Sequence, residues 1–170
     1  MDAIRLVPAT RDDLEVLRDA DTSMVHEWRV APGYNEFREA MDVFVGMLDA
    51  GIAPEWATHL LVHEADATLI GLVGYKGPPV DGTVEIGYQV APAYRGRGLA
   101  TRAVQVMVDR AAAEGVALVL AHTLPGPNPS TAVLDRAGFH KAGEIANPDG
   151  GTVWRWERHL RSSEPSPGGR

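Results

Sequence analysis

The reading of this chain turns on VEIGYQVAPAYRGRGLATRAV, residues 84–104. Its first half, TVEIGYQV when begun at Thr83, has the β-branched and aromatic content of a strand. From Gly98 to Glu114 the apolar residues Ala100, Ala103, Val104, Met107, Val108 and Ala111 fall at i, i+3, i+4, i+7, i+8 and i+11, the stripe of an amphipathic helix, and Gly115 ends it. Between strand and helix, Gly96 and Gly98 remove side chains where the chain turns. Consecutive backbone N–H groups can there converge on an anion at the positive end of the helix dipole. A P-loop is excluded, because no Gly-Lys-Ser/Thr follows. A dinucleotide fingerprint fails too: Thr101 stands where Gly or Ala is needed, and Leu120-Ala121-His122 offers no acid at the end of the next strand. On spacing alone, two glycines describe a tight turn as well as they describe a phosphate cradle.

Outward from this junction the chain alternates between the two periods. Ile4 to Val7 reads as a strand, and Thr10 before Arg11-Asp12-Asp13 as the N-cap of a helix over 11–20. Residues 21–33 show no clear period, and a second helix is expected from Tyr34 to Ala50, closed by Gly51. The long aromatic-bearing connection between these helices is a candidate lid. THLLVHEA, TLIGLVGYK and TVEIGYQV, separated by hairpin-type turns, predict three antiparallel strands. After the long helix come a buried strand at 116–121, a short helix from Ser130 to Ala137 and a final strand pair in FHKAGEI and GTVWRWERHL. The Ser/Pro/Gly-rich tail 161–170 reads as disordered, which leaves one domain over 1–160.

Composition narrows the function classes. The chain has 170 residues, 45% of them hydrophobic, enough for one sizeable core. Sixteen Lys+Arg against twenty-three Asp+Glu give a net charge of −7, which argues against nucleic-acid or anionic-membrane partners and requires any phosphate to be held locally. Without cysteine there is no disulfide framework, thiolate metal site or cysteine nucleophile, consistent with a cytoplasmic protein, and no targeting or membrane-spanning segment is visible.

Two motifs then converge. Arg95-Gly96-Arg97-Gly98-Leu99-Ala100 resembles the Arg/Gln-x-x-Gly-x-Gly/Ala acyl-CoA signature of the GNAT superfamily of N-acyltransferases. Asn128 through Phe139, NPSTAVLDRAGF, is similar to the Asn…Ser…Val-Leu-x-Lys-x-Gly-Phe segment of its ribosomal-protein N-acetyltransferase branch. The resemblance implies an α/β fold with a mixed, mostly antiparallel central sheet, splayed between its fourth and fifth strands and flanked by helices on both faces. It implies an acetyl-CoA-dependent N-acetyltransferase, with no metal, in which a primary amine attacks the thioester directly in a ternary complex, the protein acting as a monomer or homodimer. A non-catalytic acyl-CoA-binding or regulatory domain on the same fold is the alternative. A nucleotide-dependent oxidoreductase is disfavoured by the failed fingerprint.

By the same resemblance, the amides from Arg95 through Gly96, Arg97, Gly98 and Leu99 to Ala100 hold the pyrophosphate, with Arg95 and Arg97 adding charge. The main chain of Gln89, Val90 and Ala91 pairs with the pantetheine arm, and the Val90 N–H faces the thioester oxygen. Glu85 is the expected proton acceptor if burial raises its pKa, with His122 as runner-up because imidazole titrates near neutrality. The family's frequent tyrosine acid in the last helix is replaced by Leu134, leaving Ser130 as a substitute. Asn128 is a further cofactor contact, although both Asn128 and Ser130 would also serve as helix caps.

The remaining signals are weaker. Asp21, Glu27, Glu36, Glu144 and Asp149, with Trp28 and Tyr34, suggest an acidic mouth that draws a cationic amine such as a peptide N-terminus or a polyamine. His59 and His63 share a face but lack a nearby acidic third ligand, so no metal site is expected there. Met41 and Met47 are expected in the core, and Trp154 and Trp156 alternate onto one face of the last strand for packing.

Overall fold

The computed structural model describes residues 2–19, 21–33, 38 and 40–160. The predicted tail 161–170 and residues 34–37 and 39 of the second predicted helix lie outside the described residues. The elements run β1 (Ile4–Pro8), α1 (Arg11–Leu17), β2 (Met24–Val25), β3 (Trp28–Val30), α2 (Ala40–Asp49), β4 (Thr58–His63), β5 (Thr68–Tyr75) and β6 (Thr83–Val90). They continue with α3 (Leu99–Ala113), β7 (Leu118–Thr123), α4 (Pro129–Arg136), β8 (His140–Ala146) and β9 (Thr152–His159).

The strands form one sheet in the order β1-β4-β5-β6-β7-β9-β8, antiparallel except for β6 with β7 and the short pairing of β3 with β5. Two apolar layers cover it. Leu14 and Leu17 of α1 and Met41 and Val45 of α2 pack with Leu60, Val62, Leu69 and Leu72, while Ala103, Val104, Met107 and Leu134 of α3 and α4 pack with Leu61, Ile70, Val73 and Ile86. Ile70 is an extra residue opposite β4, between the pairs Leu61↔Gly71 and Val62↔Leu69. This bulge reverses the alternation along β5, so that Leu69 and Leu72 share one layer and Ile70 and Val73 the other.

Several boundaries differ from the sequence reading for identifiable reasons. Helix α1 stops at Leu17, and residues 21–33, expected to be irregular, contain the β2–β3 hairpin. Trp28 is therefore core rather than lid, buried among Leu14, Leu17 and Val62. Met41 is buried and Met47 only half so. The strand expected at 116–121 begins two residues later. Gly115, at φ 80°, closes α3 in a Schellman turn in which the Val116 N–H donates to the Ala111 carbonyl (3.0 Å). Ala117 N–H is then held by the Gly82 carbonyl (2.8 Å), and His122 falls inside β7 rather than past its end.

The predicted splay is present. β6 and β7 pair only from Thr83↔Leu118 to Glu85↔Leu120, and beyond Glu85 the two strands have no common register. The Tyr75 hydroxyl donates to the Met107 carbonyl (2.6 Å), fixing α3 over the sheet beside this gap.

Candidate active site

The alternation of hydrogen bonds along β6 decides which main-chain groups face the gap. Lys76 N–H donates to the Glu85 carbonyl (2.8 Å) and Ala91 N–H to the Ile70 carbonyl (2.7 Å), so the odd-numbered residues of β6 bond to β5. Val90 and Tyr88 therefore direct their N–H and C=O groups into the splay. Gln89 and Ala91, expected to pair with a pantetheine arm, turn theirs toward β5. Ala91 is also buried and does not line the cleft described next. Close approach here depends on Gly71, where a Cβ would stand 1.9 Å from the Gln89 carbonyl oxygen.

A cleft of about 600 Å³ opens beside β6, between the glycine turn and α4, and Val90, Arg95, Gly96, Gly98, Asn128 and Ser130 are among its walls. Gly96 and Gly98 have φ of 74° and 75°, and a Cβ on either would meet nothing within 4 Å. The N-cap of α3 is Gly98, with no side-chain cap, so the first-turn amides stay available to an anion. Leu99 and Ala100 continue this wall. Of the two arginines expected to add charge, only Arg95 lines the cleft, its Nε donating to the Val90 carbonyl (2.9 Å). Arg97 is turned away onto Asp2 (2.7 Å), lies over the Tyr94 ring, and holds the Asp2 carboxyl below its ordinary pKa.

Asn128 proves to be the cap of α4. Its Oδ1 accepts from Thr131 N–H (3.0 Å), and its Nδ2 donates to the Leu124 and Gly126 carbonyls. Ser130 is thereby left as the first-turn hydroxyl facing the cleft. Leu134 is wholly buried, so the position expected to carry a tyrosine acid belongs to the core. A different tyrosine stands at the junction. Tyr88 donates its hydroxyl to the Ser130 carbonyl (2.8 Å), bridging the splay from β6 to α4, and burial pushes its phenol well above the ordinary range. EIGY was visible in the sequence, but nothing in it indicated that this ring would reach across to α4.

A second cavity of about 340 Å³ lies on the α2 side, with Val43, Phe44, Leu72 and Val73 among its apolar walls. It shares Tyr88, Gln89 and Ser130 with the first cleft. Its ionisable groups among the described residues, tyrosines aside, are Lys76 and His122. None of the described acids expected to form an acidic mouth lines this cavity. Asp21, Glu27, Glu144 and Asp149 do not line this cavity, Glu144 is paired with Lys141, and Tyr34 and Glu36 lie outside the described residues.

His122 Nδ1 lies 2.8 Å from Glu85 Oε1, and the same oxygen accepts from Lys76 Nζ at 2.8 Å. A carboxylate can only accept, so Nδ1–H is the donor, and in the neutral ring this tautomer leaves the lone pair on Nε2. Burial alone would raise the Glu85 carboxyl, but Lys76 and His122 together hold it below its ordinary value. The expectation of a raised pKa at Glu85 is thus reversed, and Glu85 lines neither cavity.

Similarity to known proteins agrees with this architecture. The family model described as the acetyltransferase (GNAT) domain matches residues 3–140, and the chain belongs to this family of acetyltransferases. Among solved structures, ribosomal-protein-S5-alanine acetyltransferase from Vibrio fischeri is similar at 20% identity and TM-score 0.63, over 92% of this chain and 91% of that one. The ribosomal L7/L12 α-N-protein acetyltransferase RimL, solved with coenzyme A, is similar at 16% identity and TM-score 0.65, over 92% and 94%. The microcin C7 self-immunity acetyltransferase MccE, solved with acetyl-CoA and AMP, is similar at 14% identity and TM-score 0.67, over 94% of both chains. These likenesses establish the fold. The N-acetyltransferase expected from the two motifs is borne out at the level of the family.

Proposed function

We propose that the protein transfers an acetyl group from acetyl-CoA to a primary amine by direct attack, with His122 accepting the amine proton. The observation that carries this reading is the meeting of two cavities from different sides of the splay at Tyr88, Gln89 and Ser130. One holds the acyl donor and the other the amine.

The cleft fits the donor chemically: open space over Gly96 and Gly98, uncapped amides at the start of a fifteen-residue helix, and an apolar wall at Leu99, Ala132 and Val133. Bound acetyl-CoA supplies an activated thioester and a thiolate of low basicity, so the chain needs neither a nucleophile nor a metal. The similar structures solved with CoA or acetyl-CoA support the same ligand.

The chain's residues divide the remaining work. The amides from Gly96 to Ala100 hold the pyrophosphate, with Arg95 contributing charge. Val90 N–H, directed into the splay, donates to the carbonyl oxygen where negative charge develops. His122 accepts the proton at Nε2, and Glu85, by accepting from Nδ1–H, fixes the tautomer and stabilises the imidazolium. CoA departs as the thiolate, to which the Ser130 hydroxyl donates a hydrogen bond on the donor side, where Tyr88 holds the start of α4 in place.

A panel of amines, amino acids and peptides incubated with acetyl-CoA tests this reading through release of free CoA thiol and mass spectrometry of the acceptor. Amine-dependent thiol release with matching acetylation is expected. Acetyl-CoA binding without release for every amine would instead assign the chain to the acyl-CoA-binding alternative.

A further inference from the structure

The hairpin β8–β9 brings together three side chains of metal-ligating type that line neither of the cavities described above. His140 pairs directly with Glu157, and His159 lies two residues further along β9 on the same face. One ligand atom from each of the three lies within 4.8 Å of the others. His159 Nε2 is 3.4 Å from Glu157 Oε2. Two ligands of one tetrahedral ion with bonds of about 2.0–2.1 Å stand roughly 3.3 Å apart, so this edge already has the spacing of a coordinated pair. The His140 and His159 rings are nearly parallel, 11° apart with centroids at 5.8 Å, and both residues are exposed.

The carboxylate is already oriented. Arg155 donates from Nε (3.1 Å) and Nη2 (3.0 Å) to Glu157 Oε1, which leaves Oε2 as the oxygen on the histidine side. Such outer contacts hold a ligating carboxylate in one rotamer. A donor set of two imidazoles and one carboxylate suits borderline divalent ions rather than calcium or magnesium, and three protein ligands leave a position for water.

We propose that His140, Glu157 and His159 form a binding site for a divalent transition-metal ion of the zinc type. His122 pairs with Arg155, and Glu157 and His159 lie two and four residues further along β9, which puts these two ligands about 7 and 13 Å along the strand from the partner of His122. β8 is the edge strand and is exposed along most of its length, and a metal linking His140 to His159 would pin it to β9.

Titration of the tagless protein with zinc chloride at pH 7.5 by calorimetry, and with cobalt chloride by visible absorption, tests the site. One ion per chain is expected, with a tetrahedral cobalt spectrum and a melting temperature that rises with zinc. His140→Ala, His159→Ala and Glu157→Gln should each weaken binding at least roughly tenfold, since loss of even an outer partner of a ligand costs that much. His140 and His159 are exposed, so circular dichroism is expected to confirm folded variants. Absence of saturable binding, or binding unchanged in the His140→Ala/His159→Ala double variant, would overturn the proposal.

Discussion

Glu85 Oε1 and His122 Nδ1 are 2.8 Å apart across the last paired position before β6 and β7 separate. Glu85 therefore acts through His122. With Glu85→Gln, turnover should fall roughly 10²-fold, at the lower end of the effect of losing a general base, because the imidazole remains but loses its fixed tautomer and counter-charge. A Glu85→Gln enzyme with wild-type turnover would deny the coupling.

At the glycine turn, Gly98→Asp adds a side chain at φ 75°, where the neighbourhood is open but the backbone disfavours a Cβ, and adds negative charge where phosphate is held. Acetyl-CoA affinity should fall at least about tenfold by calorimetry in a protein that still folds. Gly98→Asn, which tolerates the left-handed backbone without the charge, should lose less. Equal affinity in all three proteins would move the phosphate elsewhere.

Tyr88→Phe removes the hydroxyl that joins β6 to Ser130. A single hydrogen bond worth about 1 kcal/mol corresponds to a roughly fivefold loss in kcat with acetyl-CoA affinity nearly unchanged. Leu134→Tyr should not add activity. Leu134 is wholly buried, so the larger ring overpacks the core and lowers stability by about 1–3 kcal/mol, readable as a fall in melting temperature.

His59 carries a pH dependence of stability unrelated to catalysis. The side chain is buried, its Nδ1 has no hydrogen-bond partner among the described residues, and burial lowers its pKa from 6.5 to about 4. The unfolded chain takes up a proton that the folded chain refuses. Stability is therefore complete above pH 6.5 and is lost as pH falls toward 4, by about 3 kcal/mol in total for this one group. Urea unfolding of wild type and His59→Gln between pH 7.5 and 4.5 should show a shallower acid loss in the variant. Parallel curves would remove His59 as the cause.

The sequence carried most of the architecture because its elements are locally encoded. The stripe Ala103-Val104-Met107-Val108-Ala111 and the closing Gly115 specify α3, and Gly96 and Gly98 specify the turn before it. What it did not carry was long-range. The hairpin β2–β3 has too few residues to show a period and gains its place by pairing with β5. Glu85 and His122 are 37 residues apart in sequence and meet only through the parallel register of β6 and β7. Arg97 looked equivalent to Arg95 in the motif, yet Asp2, 95 residues earlier in the chain, draws it away from the cleft. His140, Glu157 and His159 become neighbours through the bulge and register of the final hairpin.

The central claim, that His122 in the second cavity is the base for an amine that attacks where the two cavities meet, is tested most directly by single-turnover acetyl transfer with His122→Asn. The variant keeps a side-chain amide able to donate to Glu85 but has no basic nitrogen. The account predicts unchanged acetyl-CoA affinity, a roughly 10²–10⁴-fold slower transfer to the best amine, and loss of the acidic limb of the rate profile. Wild-type transfer rates and an unaltered pH profile in His122→Asn would contradict it.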